Sequence, residues 1–289
     1  MTTTKRFERI LLATDGSDAS QAAVDATIAI AKSSTAKVRV AHVWNLEVHR
    51  QDGAWDIEMR NEAEKLVDVT VERLSKAGVI AEREIDRADS KHVAEAIAFS
   101  ARDFEADLVV LGSRGLSDWQ SMTKHSITHE LLRAVDCPVL IVRGQYPGSK
   151  TKVSRIVMAI AGTDDIAPAA RAAVAVAGPD CSVLVVHVAQ AIFGVQGYAY
   201  VESTDEIRET MARASERLTA AKLNVHGMVA HEGPVAKAVA EIAADWNADL
   251  IVVGSSRMGD IGSFILGSVS HELLHLTDRP VLVAERVPA

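Results

Sequence analysis

An internal repeat constrains this chain more than any other feature. Ala106-Asp-Leu-Val-Val-Leu-Gly-Ser113 recurs as Ala248-Asp-Leu-Ile-Val-Val-Gly-Ser255, an offset of 142 residues. At that same offset of 142, Ser126-Ile-Thr-His-Glu-Leu-Leu132 recurs as Ser268-Val-Ser-His-Glu-Leu-Leu274, and Asp136-Cys-Pro-Val-Leu140 as Asp278-Arg-Pro-Val-Leu282. Upstream, Arg9-Ile-Leu-Leu-Ala13 matches Arg155-Ile-Val-Met-Ala159 at an offset of 146, so the halves differ by only a small net length. A chain that states one pattern twice is expected to fold as two copies of one unit. The 289 residues divide into copies at 1–144 and 153–289, joined by a linker at 145–152, in the stretch where Gly, Pro, Ser and Lys cluster without apolar periodicity. Each copy is long enough to bury its own core.

Within each copy, short leucine-rich or β-branched runs alternate with longer stretches of helical period. The pattern predicts strands near 8–14, 37–43, 79–85, 107–112 and 138–143, with helices near 18–33, 56–77, 90–104 and 126–135. The second copy repeats this with strands near 154–160, 182–188, 225–230, 249–254 and 280–284, and helices near 166–177, 204–222, 234–246 and 268–276. Runs such as Leu108-Val-Val-Leu111 are apolar at every position, as a parallel sheet covered by helices on both faces requires. The fold class is therefore α/β, two tandem doubly wound domains, with ligands expected beyond the carboxyl ends of the strands.

Charge narrows the function. Lys and Arg total 31 against 39 acids, a net charge of -8 with no local basic patch, which argues against nucleic acid as a partner. Cys137 and Cys181 form no CxxC pair, so they are expected to be reduced thiols without a zinc site or disulfide framework. Residues 1–9 lack the apolar core of a signal peptide, and the longest apolar-rich stretch, 172–195, is interrupted by Gly178, Pro179 and Asp180. The expectation is a cytoplasmic protein with no membrane partner.

Two loops follow strands at the expected ligand end. In Ala13-Thr14-Asp15-Gly16-Ser17 a carboxylate at a strand tip suits a ribose or amide donor, although an Asp before Gly also serves as a turn or cap device. In Gly112-Ser-Arg-Gly115, glycine turns let backbone amides approach phosphate, and Ser126 downstream opens a helix whose N-terminus favours an anion.

These residues resemble the universal stress protein family in its tandem two-domain form. The likeness lies in the Asp loop after the first strand, a G-x2-G-x9-G-(S/T) pattern, the Ser-x-x-His-Glu-Leu-Leu segments and the (Cys/Arg)-Pro-Val-Leu segments, over nearly the whole chain. It implies a five-stranded, Rossmann-like parallel sheet per domain and, in the family's nucleotide-binding branch, a loop wrapped around ATP phosphates. Carried over residue by residue, it places Thr14 and Asp15 on the ribose or base side, Val43 against adenine, and Gly112, Arg114, Gly115 and Ser126 around the phosphates, with His125, Ile127 and Thr128 beside them. His125 stands where the family has its third glycine. The second copy keeps Gly254, Gly267 and Ser268, but Ala161 replaces the Asp and Arg257 replaces the second glycine.

The resulting expectation is an adenine nucleotide, ATP with or without magnesium, held as a regulatory ligand in a stress response. A nucleotide-free interaction scaffold is the alternative. No enzyme is expected, because the chain has no Walker-type Gly-Lys-Ser/Thr and no positioned general base. His125-Ser126 and His129-Glu130 suit capping better than catalysis, His42 and His187 suit structural roles, and no metal site is expected. Segments 46–61 and 189–205 lack clear period and suit lids, partner contacts or variable loops. The last strands, Pro138 to Arg143 and Pro280 to Glu285, are expected at sheet edges, where they would pair the two copies as an intramolecular pseudo-dimer; a homodimer is a further expectation.

Overall fold

The computed structural model describes all residues except 1–4, 50–52, 57–59, 114–126, 145, 147–151, 162–165, 190, 195–196, 201–202, 231–233, 255–267 and 285–289. The chain divides into two compact units, one of residues 7–151 and one of residues 152–289 together with 1–6.

The first unit runs β1 (Arg9–Ala13), α1 (Asp18–Ser34), β2 (Lys37–His49), β3 (Gly53–Asp56), α2 (Arg60–Lys76), β4 (Ile80–Asp89), α3 (Val93–Asp103), β5 (Leu108–Gly112), α4 (Ile127–Ala134) and β6 (Val139–Val142). Its parallel strands lie in the order β6-β5-β1-β2-β4. The second unit runs β7 (Arg155–Ile160), α5 (Ala167–Val176), β8 (Ser182–Val188), β9 (Ala191–Gly194), β10 (Gly197–Tyr200), α6 (Thr204–Ala220), β11 (Asn224–Ala230), α7 (Val235–Asp245), β12 (Leu250–Val253), α8 (Ser268–Leu276) and β13 (Val281–Val283). Its parallel strands repeat the arrangement as β13-β12-β7-β8-β11. Each unit is thus the expected doubly wound, five-stranded parallel sheet. Connections reverse direction between β1 and β5, and between β7 and β12, which opens a crevice at their carboxyl ends.

Uninterrupted apolar runs make the central strands. Ile10, Leu11, Leu12, Leu108, Val109 and Val110 are wholly buried, and each such side chain contributes about 1.5–3 kcal/mol by leaving water. The repeated Ala-Asp-Leu triplet has a separate task at the opposite end of the sheet. Asp107 accepts from the backbone N–H groups of Glu8 and Arg9 at 2.8 and 3.0 Å, and Asp249 accepts from those of Ser154 and Arg155 at 2.7 and 2.9 Å. One carboxylate therefore fastens the start of β1 to β5, and its copy fastens β7 to β12.

The copies differ at the β2–β4 edge. Arg39 binds Glu82 and Asp103, both at 2.7 Å, and lies over the Phe104 ring at 4.6 Å. In the second copy the strand position equivalent to Arg39 holds Leu184, which is buried and pairs in register with His226. An ion cluster in one copy is a packed leucine in the other.

The aperiodic segments contain strands. β2 continues to His49 and pairs antiparallel with β3, while β9 and β10 form a two-stranded hairpin. Backbone pairing satisfies N–H and C=O groups there, and each stretch is only about four residues long, so these strands leave little trace in the residue pattern. The helix expected from 56 begins at Arg60, and the strand expected to end at 85 continues to Asp89 because β2 pairs with it throughout. Among the described residues, no helix is long and apolar enough to cross a membrane.

Candidate functional site

The site is built at the tip of β1. The backbone N–H of Thr14 donates to Ala41 at 3.0 Å, carrying the sheet ladder one residue further. His42 donates from Nδ1 to the Thr14 carbonyl oxygen at 2.8 Å, and both residues are buried. Thr14 Oγ1 lies 3.1 Å from Ser20 Oγ, which itself donates to the Ser17 carbonyl at 2.8 Å. The chain then turns at Gly16, whose φ of +77° is left-handed; a Cβ there would also stand 3.1 Å from Leu66.

This turn presents Asp15 at the surface. Its Oδ1 accepts from Ser17 N at 3.0 Å and from Ser17 Oγ at 2.6 Å. Ser17 is the N-cap of α1, its hydroxyl accepting from Ser20 N at 3.3 Å. The carboxylate is thereby tied to the first turn of a helix, not left on a loose loop.

Gly112 closes the other side. A Cβ on it would lie 2.3 Å from the carbonyl carbon and oxygen of Ala19 and 2.5 Å from Ser20 N. The first turn of α1 rests directly on the last residue of β5, and no other residue type fits. Ser113 N donates to Val142 at 2.9 Å, so the chain leaves β5 still held to β6. With Ala13 in register with Leu111, the structure brings Thr14 and Asp15 beside Gly112 and Ser113 at the sheet's reversal point. Val43 is buried further along the same end of β2, opposite Asp86 of β4. Ile127 starts α4 largely exposed, with Thr128 half-buried beside it. Arg114, Gly115, His125 and Ser126 lie outside the described residues.

The second copy departs from this framework at described positions. Ala161 follows β7 where Asp15 follows β1, and residues 162–165, which correspond to 16–19, lie outside the described residues. A Cβ on Gly254 would meet none of the described residues within 4 Å, in contrast to Gly112. The Gly254 carbonyl accepts from Ser270 Oγ at 3.3 Å, and Ser268 is the first residue of α8. Arg257 and Gly267 lie outside the described residues.

Electrostatics distinguish the copies too. Burial raises the carboxyls of Glu84 and Asp86 above the ordinary range, and each raises the balance against its charge further through neighbouring acids, Asp86 acting on Glu84 and Asp103 on both. Arg39 opposes this. By strand register the second copy has Met228 and Ala230 at these places. Burial also pushes the Cys181 thiol up to about 12, so it is inert at neutral pH.

Sequence reasoning missed two things. The His42 bond to Thr14 joins residues 28 apart, and nothing local to either announces it. The other omission was legible: His271-Glu272-Leu273-Leu274-His275 is an HExxH spacing, which the expectation of no metal site leaves out. Its rings lie 5.3 Å apart between centroids on α8.

Known proteins bear on both copies. A model described as the universal stress protein family matches residues 6–143 and again 152–285. Universal stress protein YxiE of Bacillus subtilis is 32% identical over 150 residues, covering 47% of this chain and 99% of that protein. A universal stress protein of Mycobacterium tuberculosis is 26% identical over 309 residues, covering 99% of this chain and all of that one, 100%. Among solved structures, a universal stress protein from Archaeoglobus fulgidus superposes with a TM-score of 0.71 at 22% identity, covering 96% of this chain and 98% of that one, a likeness of fold.

Proposed function

The chain belongs to the universal stress protein family, in two tandem copies, and from that premise we propose that its first copy binds an adenine nucleotide, ATP, as a regulatory ligand without efficient hydrolysis. The observation that carries this reading is the exposed Asp15 carboxylate, fixed by Ser17 next to Gly112 at the carboxyl end of the sheet. A carboxylate so held is an acceptor for ribose hydroxyls, and a chain leaving β5 at an obligatory glycine suits phosphate bound by backbone amides. In this reading Thr14 and Val43 line the nucleoside, and Arg114, Gly115, His125 and Ser126 meet the phosphates. Retention without turnover is favoured because the sequence has no Gly-Lys-Ser/Thr and no general base has been identified.

The second copy serves as a structural and interaction partner. Ala161 offers ribose no side-chain acceptor.

Calorimetric titration of ATP into the full chain tests the proposal. A charge-assisted hydrogen bond contributes about 1.5–3 kcal/mol, so Asp15→Ala is expected to weaken binding about 10- to 150-fold. Equal affinity in the wild type and the variant, or no binding to either, would refute the assignment.

A further inference from the structure

The two copies carry almost the same segment on their last helices, with one informative difference. In the first, α4 reads His129-Glu130-Leu131-Leu132-Arg133; in the second, α8 reads His271-Glu272-Leu273-Leu274-His275. The histidine at 275 gives the second copy a pair of imidazoles four residues apart, a spacing that returns to the same side of an α-helix after about one turn.

The packing of α8 fixes that side. Leu273 and Leu274 are buried, Glu272 is exposed, and His271 and His275 are both half-buried between these extremes. The two rings lie 5.3 Å apart between centroids and are tilted by 51°. Imidazole nitrogens bind a zinc-class ion at about 2.0–2.1 Å, and ring centroids 5.3 Å apart are spaced for one such ion to bridge two imidazoles. Neutral imidazole is the commonest protein ligand for such ions.

We propose that His271 and His275 form a bidentate site for a divalent transition-metal ion, Zn²⁺, Ni²⁺ or Cu²⁺, with water completing the coordination. Among the described residues, no group of three or more His, Cys, Asp or Glu could hold a metal, so the site is a two-imidazole chelate. Among the described residues it lacks the third protein ligand that zinc hydrolases with this spacing use. The first copy has Arg133 at the place of His275, and a guanidinium neither loses its proton nor ligates. Metal binding is thus a property of the second copy alone, and it is independent of the nucleotide site proposed in the first.

The test is calorimetric titration of NiCl₂, and separately ZnCl₂, into the full chain carrying no polyhistidine tag, in nucleotide-free buffer without chelator. One ion per chain is expected, with affinity in the order Cu²⁺ above Ni²⁺ and Zn²⁺ when CuCl₂ is compared. His275→Arg gives the second copy the residue the first copy already tolerates on the same helix, and it is expected to weaken binding at least tenfold. His271→Gln is expected to do the same, while His129→Gln leaves the affinity unchanged. A wild-type chain with no saturable binding would overturn the proposal, as would one whose affinity survives both His275→Arg and His271→Gln.

Discussion

Gly112 and Gly254 occupy the same position of the repeated Gly-Ser motif, yet the structure predicts opposite outcomes when each becomes alanine. At Gly112 the added methyl would sit 2.3 Å from the Ala19 carbonyl and 2.5 Å from Ser20 N. Ordinary contact begins near 3.4 Å, so the end of β5 and the start of α1 must part by about 1 Å. Both obstacles are backbone, so no side chain can swing away. Overpacking of this kind costs about 1–3 kcal/mol, and the backbone clash places Gly112→Ala at the upper end, near 3 kcal/mol. At about 2–4 °C per kcal/mol for a unit of this size, the first copy should melt about 6–12 °C lower. Among the described residues nothing lies within 4 Å of the missing Cβ of Gly254, and its φ is not positive. Gly254→Ala should therefore be neutral, or stabilising by up to about 1 kcal/mol through loss of unfolded-state freedom. Thermal and urea unfolding followed by circular dichroism reads both. Equal shifts in the two variants would refute the argument that packing of α1 on β5 separates the copies.

Two other perturbations have definite signs. Asp249→Ala removes the acceptor of two backbone N–H bonds at a site only 5% exposed, so it should cost about 2–4 kcal/mol. Asp107→Ala, at a more exposed place, should cost less, as denaturant midpoints will show. Glu84 and Asp86 have carboxyls raised by burial, so the folded state holds protons that the unfolded chain has released. Stability is then lost as pH rises from the ordinary carboxylate value through the raised one. Glu84→Gln should stabilise the first copy at pH 7, and that gain should vanish near pH 4; a gain that persists unchanged at pH 4 would contradict the cause assigned here.

The core strands were readable because they are buried on both faces, which forces runs such as Leu108 to Leu111 to be apolar at every position. The extra lengths of β2 and β4 were not, because beyond Asn45 β2 has only the short Leu46-Glu47-Val48-His49 alternation and β4 ends in Asp86-Arg87-Ala88-Asp89, so backbone pairing carries the ladder. At the site, Asp15 and Gly112 stood out as residue types that a ligand loop needs. What the residues could not separate was Gly112 from Gly254, since the difference lies in what packs against each and not in either motif. The same identity hid His275. Its helix repeats the His-Glu-Leu-Leu of the first copy, which suits a helix-capping role, and only the position after the repeat departs from it.

Under the proposed function, the first copy holds a nucleotide and the second does not. Native mass spectrometry of the full chain, titrated with ATP, counts occupied sites directly. Saturation at one nucleotide per chain is expected, with loss of that species in Asp15→Ala. Two nucleotides of similar affinity per chain, or none at saturating ATP, would contradict it.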